Sequence, residues 1–255
     1  MKLGAATLIG LLTLGLMLTA ICMVFAWVPT EAEQGIVQRI FYFHVACAWV
    51  SFAAFGLVAI CGIFYLWLGH EIFDELGYAA AESGMVFCTL VLITGSIWAK
   101  PIWGTWWTWD SRLTTTLILW LLYGGYLMLR GMGDDSPQVA RFAAVVGIVA
   151  AADVPVVIVS VRLWRTIHPA VLVMRSGGHG LEDPRMIVTL LVSLAAFTAL
   201  TVWLLMLRIA LVRAGARLRG LTREIGLANA ALLDRDGGQP GTLKKMRWSL
   251  GDGEL

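Results

Sequence analysis

Residues 41–68 read FYFHVACAWVSFAAFGLVAICGIFYLWL. No Asp, Glu, Lys, Arg or Pro interrupts them. The apolar residues come as a run and not in alternation, and the run exceeds the roughly 20 residues that cross a bilayer as a helix. Outward from it the chain repeats the pattern, at about 3–28, 83–99, 114–129, 142–161 and 186–207. The expected fold is therefore all-α: a polytopic integral membrane protein of six transmembrane helices. A composition 59% hydrophobic and 14% charged, with mean hydropathy +0.79, excludes an ordinary soluble domain. The first run is too long for the roughly 7–15-residue core of a signal peptide and is expected to stay as a helix.

Polar or turn-rich pieces separate the spans. They include GHEIFDELG (69–77), KPIWGTWWTWDSR (100–112) and the stretch 163–185. The third and fourth spans are short, so the tryptophan segment between them is expected to lie along the interface, near 98–116. Residues 1–207 form the membrane domain in this reading, and 208–255 a basic tail. Of the 19 Lys and Arg, seven fall on one side of the membrane: Arg39, Lys100, Arg112, Arg162, Arg165, Arg175 and Arg185. The other twelve fall on the side of both termini, which makes that side cytoplasmic. The tail is expected on the anionic inner surface or against a partner.

Cys22, Cys47, Cys61 and Cys88 all lie in apolar runs, with no CxxC pair. Thiol redox chemistry, a zinc site and covalently attached haem are not expected.

What remains is the segment Trp103–Thr115, WGTWWTWDSRLTT. Trp103, Trp106, Trp107 and Trp109 fall within seven residues and Trp98 lies just upstream. Tryptophan belts at membrane interfaces are one explanation; a flat aromatic ligand is the other. Two histidines favour the ligand. His44 stands about one turn inside the second span, and His168 precedes Pro169 in the third loop of the same side. Imidazoles from different helices beside indole faces suit the iron and the plane of a haem. Arg39, Lys100, Arg112 and Arg165 are candidate partners for its propionates. His179, between glycines, competes with His168, whereas His70 falls on the opposite side. Asp110 either caps the fourth span or holds Arg112 or an indole N–H. Asp153 sits two residues before Pro155 inside the fifth span, where a kink is expected. The favoured reading has its carboxyl facing the bundle and taking hydrogen bonds there; an acid within a span is otherwise a functional candidate.

The order RIFYFHV, then GSIWAKPIWGTWWTWDSRLT, then WRTIHP resembles the tryptophan-rich "WWD" haem-handling superfamily of cytochrome c biogenesis, in its CcmC branch. The similarity covers about residues 29–210. It implies haem b held non-covalently on the outer, periplasmic face of a bacterial inner membrane. It implies axial ligation by His44 and His168 and a platform of Trp98, Trp103, Trp106, Trp107, Trp109 and Asp110. It further implies delivery to a periplasmic haem chaperone (CcmE-type), with a small single-span partner (CcmD-type) and ATP-binding-cassette subunits (CcmA/CcmB-type). No catalytic motif of its own and no nucleic-acid partner are expected. The chain departs from that pattern at Leu163, at Asp153 and in its longer tail. A transmembrane haem transporter and a direct haem–apocytochrome synthetase are the alternatives; a cavity lined by Asp153 and tryptophans would favour the transporter.

Overall fold

The computed structural model describes residues 4–132, 136–164, 168, 181 and 183–235. Arg165, His179 and residues 236–255 of the tail lie outside them. Among the described residues seven α-helices follow in order: α1 (Ala5–Cys22), α2 (Ile40–Leu68), α3 (Glu71–Trp103), α4 (Ser111–Met132), α5 (Pro137–Ala151), α6 (Asp153–Leu163) and α7 (Pro184–Arg235). The described residues contain no strand, only an isolated bridge between Glu31 and Gly35. Among the described residues six helical stretches are long and apolar enough to cross a membrane: Ala5–Trp27, Ile36–Leu68, Glu71–Trp103, Ser111–Met132, Pro137–Leu163 and Pro184–Leu227. The protein is a multi-pass membrane protein.

The helices differ from the expected runs where charge is paired. GHEIFDELG is not a loop. Gly69, at φ 70°, ends α2, and Glu71 and Asp74 already occupy the first turn of α3, where acids suit the helix dipole. Asp74 is paired with Arg130 of α4 through two hydrogen bonds of 3.0 and 2.8 Å, and Glu82 with Arg208 of α7. Tyr78, between the two acids on the same face of α3, has both guanidiniums over its ring, at 4.9 and 5.6 Å. Asp74, which sequence counts as loop, is thus neutralised between helices.

The core lies where α2, α3, α4 and α5 meet. Phe55 stacks on Tyr123 at 3.7 Å, and the one proton of the tyrosine hydroxyl is shared between the carbonyls of Phe55 and Gly147, each at 3.2 Å. In lipid no hydrophobic force draws helices together, so close approach of small residues does. Gly84 shows it: a Cβ there would stand 2.7 Å from the Phe55 ring. The fifth span breaks as Pro155 requires, between α5 and α6 at Ala152. Asp153 is half-buried at that break. Its Oδ2 has no hydrogen-bond partner, so this oxygen does not tie the kink as expected.

The chain divides into two compact units, Met1–Ile209 and Ala210–Leu255. Within the second, α7 carries Leu211, Leu218, Leu221 and Ile225 exposed. In the first, Asp183 heads α7 by accepting from the Arg185 amide at 2.8 Å. Its carboxyl is held below the usual range by the Arg185 guanidinium that hydrogen-bonds it.

Candidate functional site

One end of the bundle gathers the start of α2, the end of α3, the start of α4 and the end of α6. His44 belongs to the second turn of α2. Its Nδ1 lies 2.9 Å from Thr94 Oγ1 of α3, and that hydroxyl donates to the Leu90 carbonyl at 2.6 Å. A hydroxyl has one proton. Thr94 has committed its proton to Leu90, so it accepts from His44 Nδ1–H, and Nε2 of the neutral ring keeps its lone pair. A metal-binding imidazole is oriented by such a partner behind it. Gly95 completes the seat: a Cβ there would come within 3.1 Å of His44 Cε1. Trp98, one turn further along α3, meets the His44 ring at 5.7 Å and 68°. Its indole N–H donates to Gln34 Oε1 at 3.0 Å.

The second histidine is brought to the same end. His168 packs edge-on to Trp103 at 6.2 Å, and its Nδ1 is 3.5 Å from Arg112 Nη1. A guanidinium can only donate, so Nδ1 accepts and the proton of a neutral His168 ring sits on Nε2. His168 and Arg112 both lie within electrostatic reach of His44. His70 precedes α3 at the other end of the bundle.

The tryptophan segment is part helix and part loop. Trp98 and Trp103 are in α3, which runs to Gly104 at φ 75° despite Pro101 in its last turn. Residues 104–110 are outside any helix. There Trp107 and Trp109 meet edge to face at 5.7 Å, and Lys100 stands 5.9 Å from the Trp106 ring. Trp106 and Trp109 are 57% and 76% exposed. Asp110 takes the capping role, accepting from the Leu113 amide at 2.9 Å. It is also close enough to Arg112 to attract it. Lys100 Nζ donates to the Gly104 carbonyl, and Arg39 Nη1 to the Phe25 carbonyl, each at 3.0 Å.

A family model described as Heme exporter protein C matches residues 3–221. The chain belongs to the heme exporter protein C family. Among curated members, Heme exporter protein C of Bradyrhizobium diazoefficiens is 41% identical over 202 residues, 79% of this chain and 74% of that protein. The Haemophilus influenzae protein of the same name is 34% identical over 201 residues, 79% of this chain and 81% of its own. That of Escherichia coli K12 is 33% identical over 184 residues, 72% and 74% of the two chains.

Sequence reasoning missed Thr94, Gly95 and Gln34 as the supports of His44 and Trp98. One signal was available. Thr94 stands four residues before Trp98, on the same helix face. A groove of about 440 Å³ between α3 and α4 is lined by Thr89, Leu92, Ser96, Leu117 and Trp120 among others. Asp153 does not line it.

Proposed function

We propose that this family member binds haem as cargo, at the bundle end that carries the tryptophan segment, and passes it on for c-type cytochrome maturation. The observation that carries the reading is the seat of His44. Its Nδ1–H is fixed by Thr94, so Nε2 is presented as a lone pair, the form an axial ligand needs. The donor set fits the cargo: two imidazoles at one end of the bundle, indole faces at 57% and 76% exposure, and guanidinium and ammonium groups around them. Haem supplies an iron that accepts two nitrogen ligands and a plane that stacks on indoles.

The chain's own residues then have distinct tasks. His44 ligates. His168 ligates through Nε2 once its proton shifts to Nδ1, which requires Arg112 to leave Nδ1 and turn to a carboxylate. The faces of Trp98, Trp103, Trp106, Trp107 and Trp109 hold the plane and exclude water. Arg39, Lys100 and Arg165 stand as further partners for the propionates. The Arg and Lys distribution supports the periplasmic face of a bacterial inner membrane for this end, with both termini and the basic tail 208–255 cytoplasmic. The recipient is a CcmE-type haem chaperone, and CcmD-type and CcmA/CcmB-type proteins are the working partners. The names of the relatives support haem as the cargo.

The test is the absorption spectrum of the purified protein with haem. A low-spin six-coordinate spectrum is expected, disturbed in His44→Ala and in His168→Ala and unchanged in His70→Ala. A normal spectrum in His44→Ala removes the two-histidine model; a normal His168→Ala with a disturbed His179→Ala moves the second ligand.

A further inference from the structure

The groove of about 440 Å³ between α3 and α4 is left unused by the haem reading. Its apolar walls are Leu92, Ile93 and Ile97 of α3 and Leu117 of α4. Its polar members are spent within the protein. The Trp120 indole N–H donates to Thr89 Oγ1 and that hydroxyl to the Met85 carbonyl, each at 2.8 Å, while Ser96 Oγ donates to the Leu92 carbonyl at 2.9 Å. The lining thus suits an apolar occupant and holds no spare proton for a polar one. Ile93 and Ile97 are each 50% exposed on a span, so this side opens on lipid. The groove is blind at one end. There the Trp120–Thr89 hydrogen bond joins the two helices, and in the next turn the Met85 methyl stands 3.5 Å from where a Cβ of Gly124 in α4 would be. Towards the other end α3 carries Lys100. Thr89, Ile93, Ser96 and Lys100 follow at spacings of four, three and four residues, so they share one face of the helix.

We propose that this groove binds one phospholipid of the leaflet on the side of the tryptophan segment, with an acyl chain along the groove and the phosphate at Lys100. The depth agrees. From Thr89 to Lys100 the helix rises about 17 Å, close to half of the roughly 30 Å hydrocarbon core. Thr89 then lies near mid-bilayer, where a chain of that leaflet ends, and Lys100 at the headgroups. The charge agrees as well. Lys100 Nζ gives one N–H to the Gly104 carbonyl at 3.0 Å, and an ammonium has two more to offer phosphate oxygens. A spanning helix of a partner fits less well, because it needs a furrow that continues past Thr89, and Met85 fills that turn.

The experiment titrates dioleoylphosphatidylglycerol, and separately dioleoylglycerol, which lacks the phosphate, into detergent-purified full-length protein and reads the bound species by native mass spectrometry. It is run without haem, so Lys100 answers here only for the phosphate. The unaltered protein should retain one phosphatidylglycerol molecule under conditions that strip further ones. Ser96→Phe fills the groove and should weaken that binding about five-fold or more, the scale of steric overlap in a packed site. Ser96→Leu, a smaller filling, should act in the same direction and serves if the phenylalanine variant does not fold. Lys100→Gln should weaken phosphatidylglycerol about two- to five-fold, as for an exposed ion pair, and leave dioleoylglycerol unchanged. Val149→Phe, on α5 where the side chain is 65% exposed, should change neither. No retained lipid in the unaltered protein, retention untouched by both Ser96 variants or by Lys100→Gln, or an equal loss in Val149→Phe overturns the site. A dimer or a co-purifying polypeptide that Ser96→Phe releases gives the groove to another chain and overturns it too.

Discussion

Thr94→Val tests the seat of His44 without touching a proposed ligand. Valine keeps the volume and branching of threonine but offers no acceptor at the 2.9 Å contact with Nδ1. The imidazole then loses both its tautomer preference and one restraint on its ring plane. Removing the partner behind a metal-binding histidine costs roughly 10–100-fold in metal affinity, or about 1.4–2.8 kcal/mol. The fold should lose less, since one hydrogen bond is worth about 1 kcal/mol and the Thr94–Leu90 contact lies within one helix. Haem titration should therefore show a 10–100-fold weaker complex, with thermal unfolding little changed. Thr94→Ser restores the hydroxyl and should bind within about three-fold of the unaltered protein. Two results refute the reasoning: Thr94→Val binding as tightly as the unaltered protein, or Thr94→Ser losing as much as Thr94→Val.

Gly95→Ala places a Cβ 3.1 Å from His44 Cε1. Haem affinity should fall several-fold while the melting temperature holds; unchanged affinity would mean the ring has room to yield. Gly84→Ala puts a methyl 2.7 Å from the buried Phe55 ring and should destabilise by about 1–3 kcal/mol, read as a lower melting temperature in detergent. Arg130→Leu leaves Asp74 unpaired where the two side chains are 14% and 21% exposed. Stability should fall by about 2 kcal/mol and largely return in Asp74→Leu/Arg130→Leu, because the lone charge is the costly species.

The spans were legible because lipid imposes a length and an apolar composition that the sequence displays directly. Their ends were not. Asp74 read as part of a polar loop because its partner, Arg130, is far along the chain, and a neutralised acid cannot be told from a solvated one by composition. The helix through Trp103 was missed for a related reason. Pro101 has no N–H to give the carbonyl of Ile97, which suggests a break, yet α3 runs on to Trp103. At the site, the unusual residue types were visible: the tryptophans, His44 and His168. Their supports, Thr94, Gly95 and Gln34, are ordinary residues in membrane helices and loops, and only geometry distinguishes them. Asp110 was left between two roles, and its carboxylate caps α4 while lying near Arg112.

The acid–tyrosine–acid face of α3 also bears on the order in which the protein can be made. A chain enters the membrane from its N-terminus during synthesis. Asp74 and Glu82 therefore arrive before their counter-charges, Arg130 56 residues and Arg208 126 residues later in the chain. Tyr78 waits with them, its ring bare until both guanidiniums cover it. The α3 helix is thus provisional when it inserts, half neutralised when α4 follows, and closed only when the last span delivers Arg208. A nascent chain cut short before that residue would present Glu82 as a lone carboxylate beside the bilayer, a mark by which incomplete molecules differ chemically from finished ones.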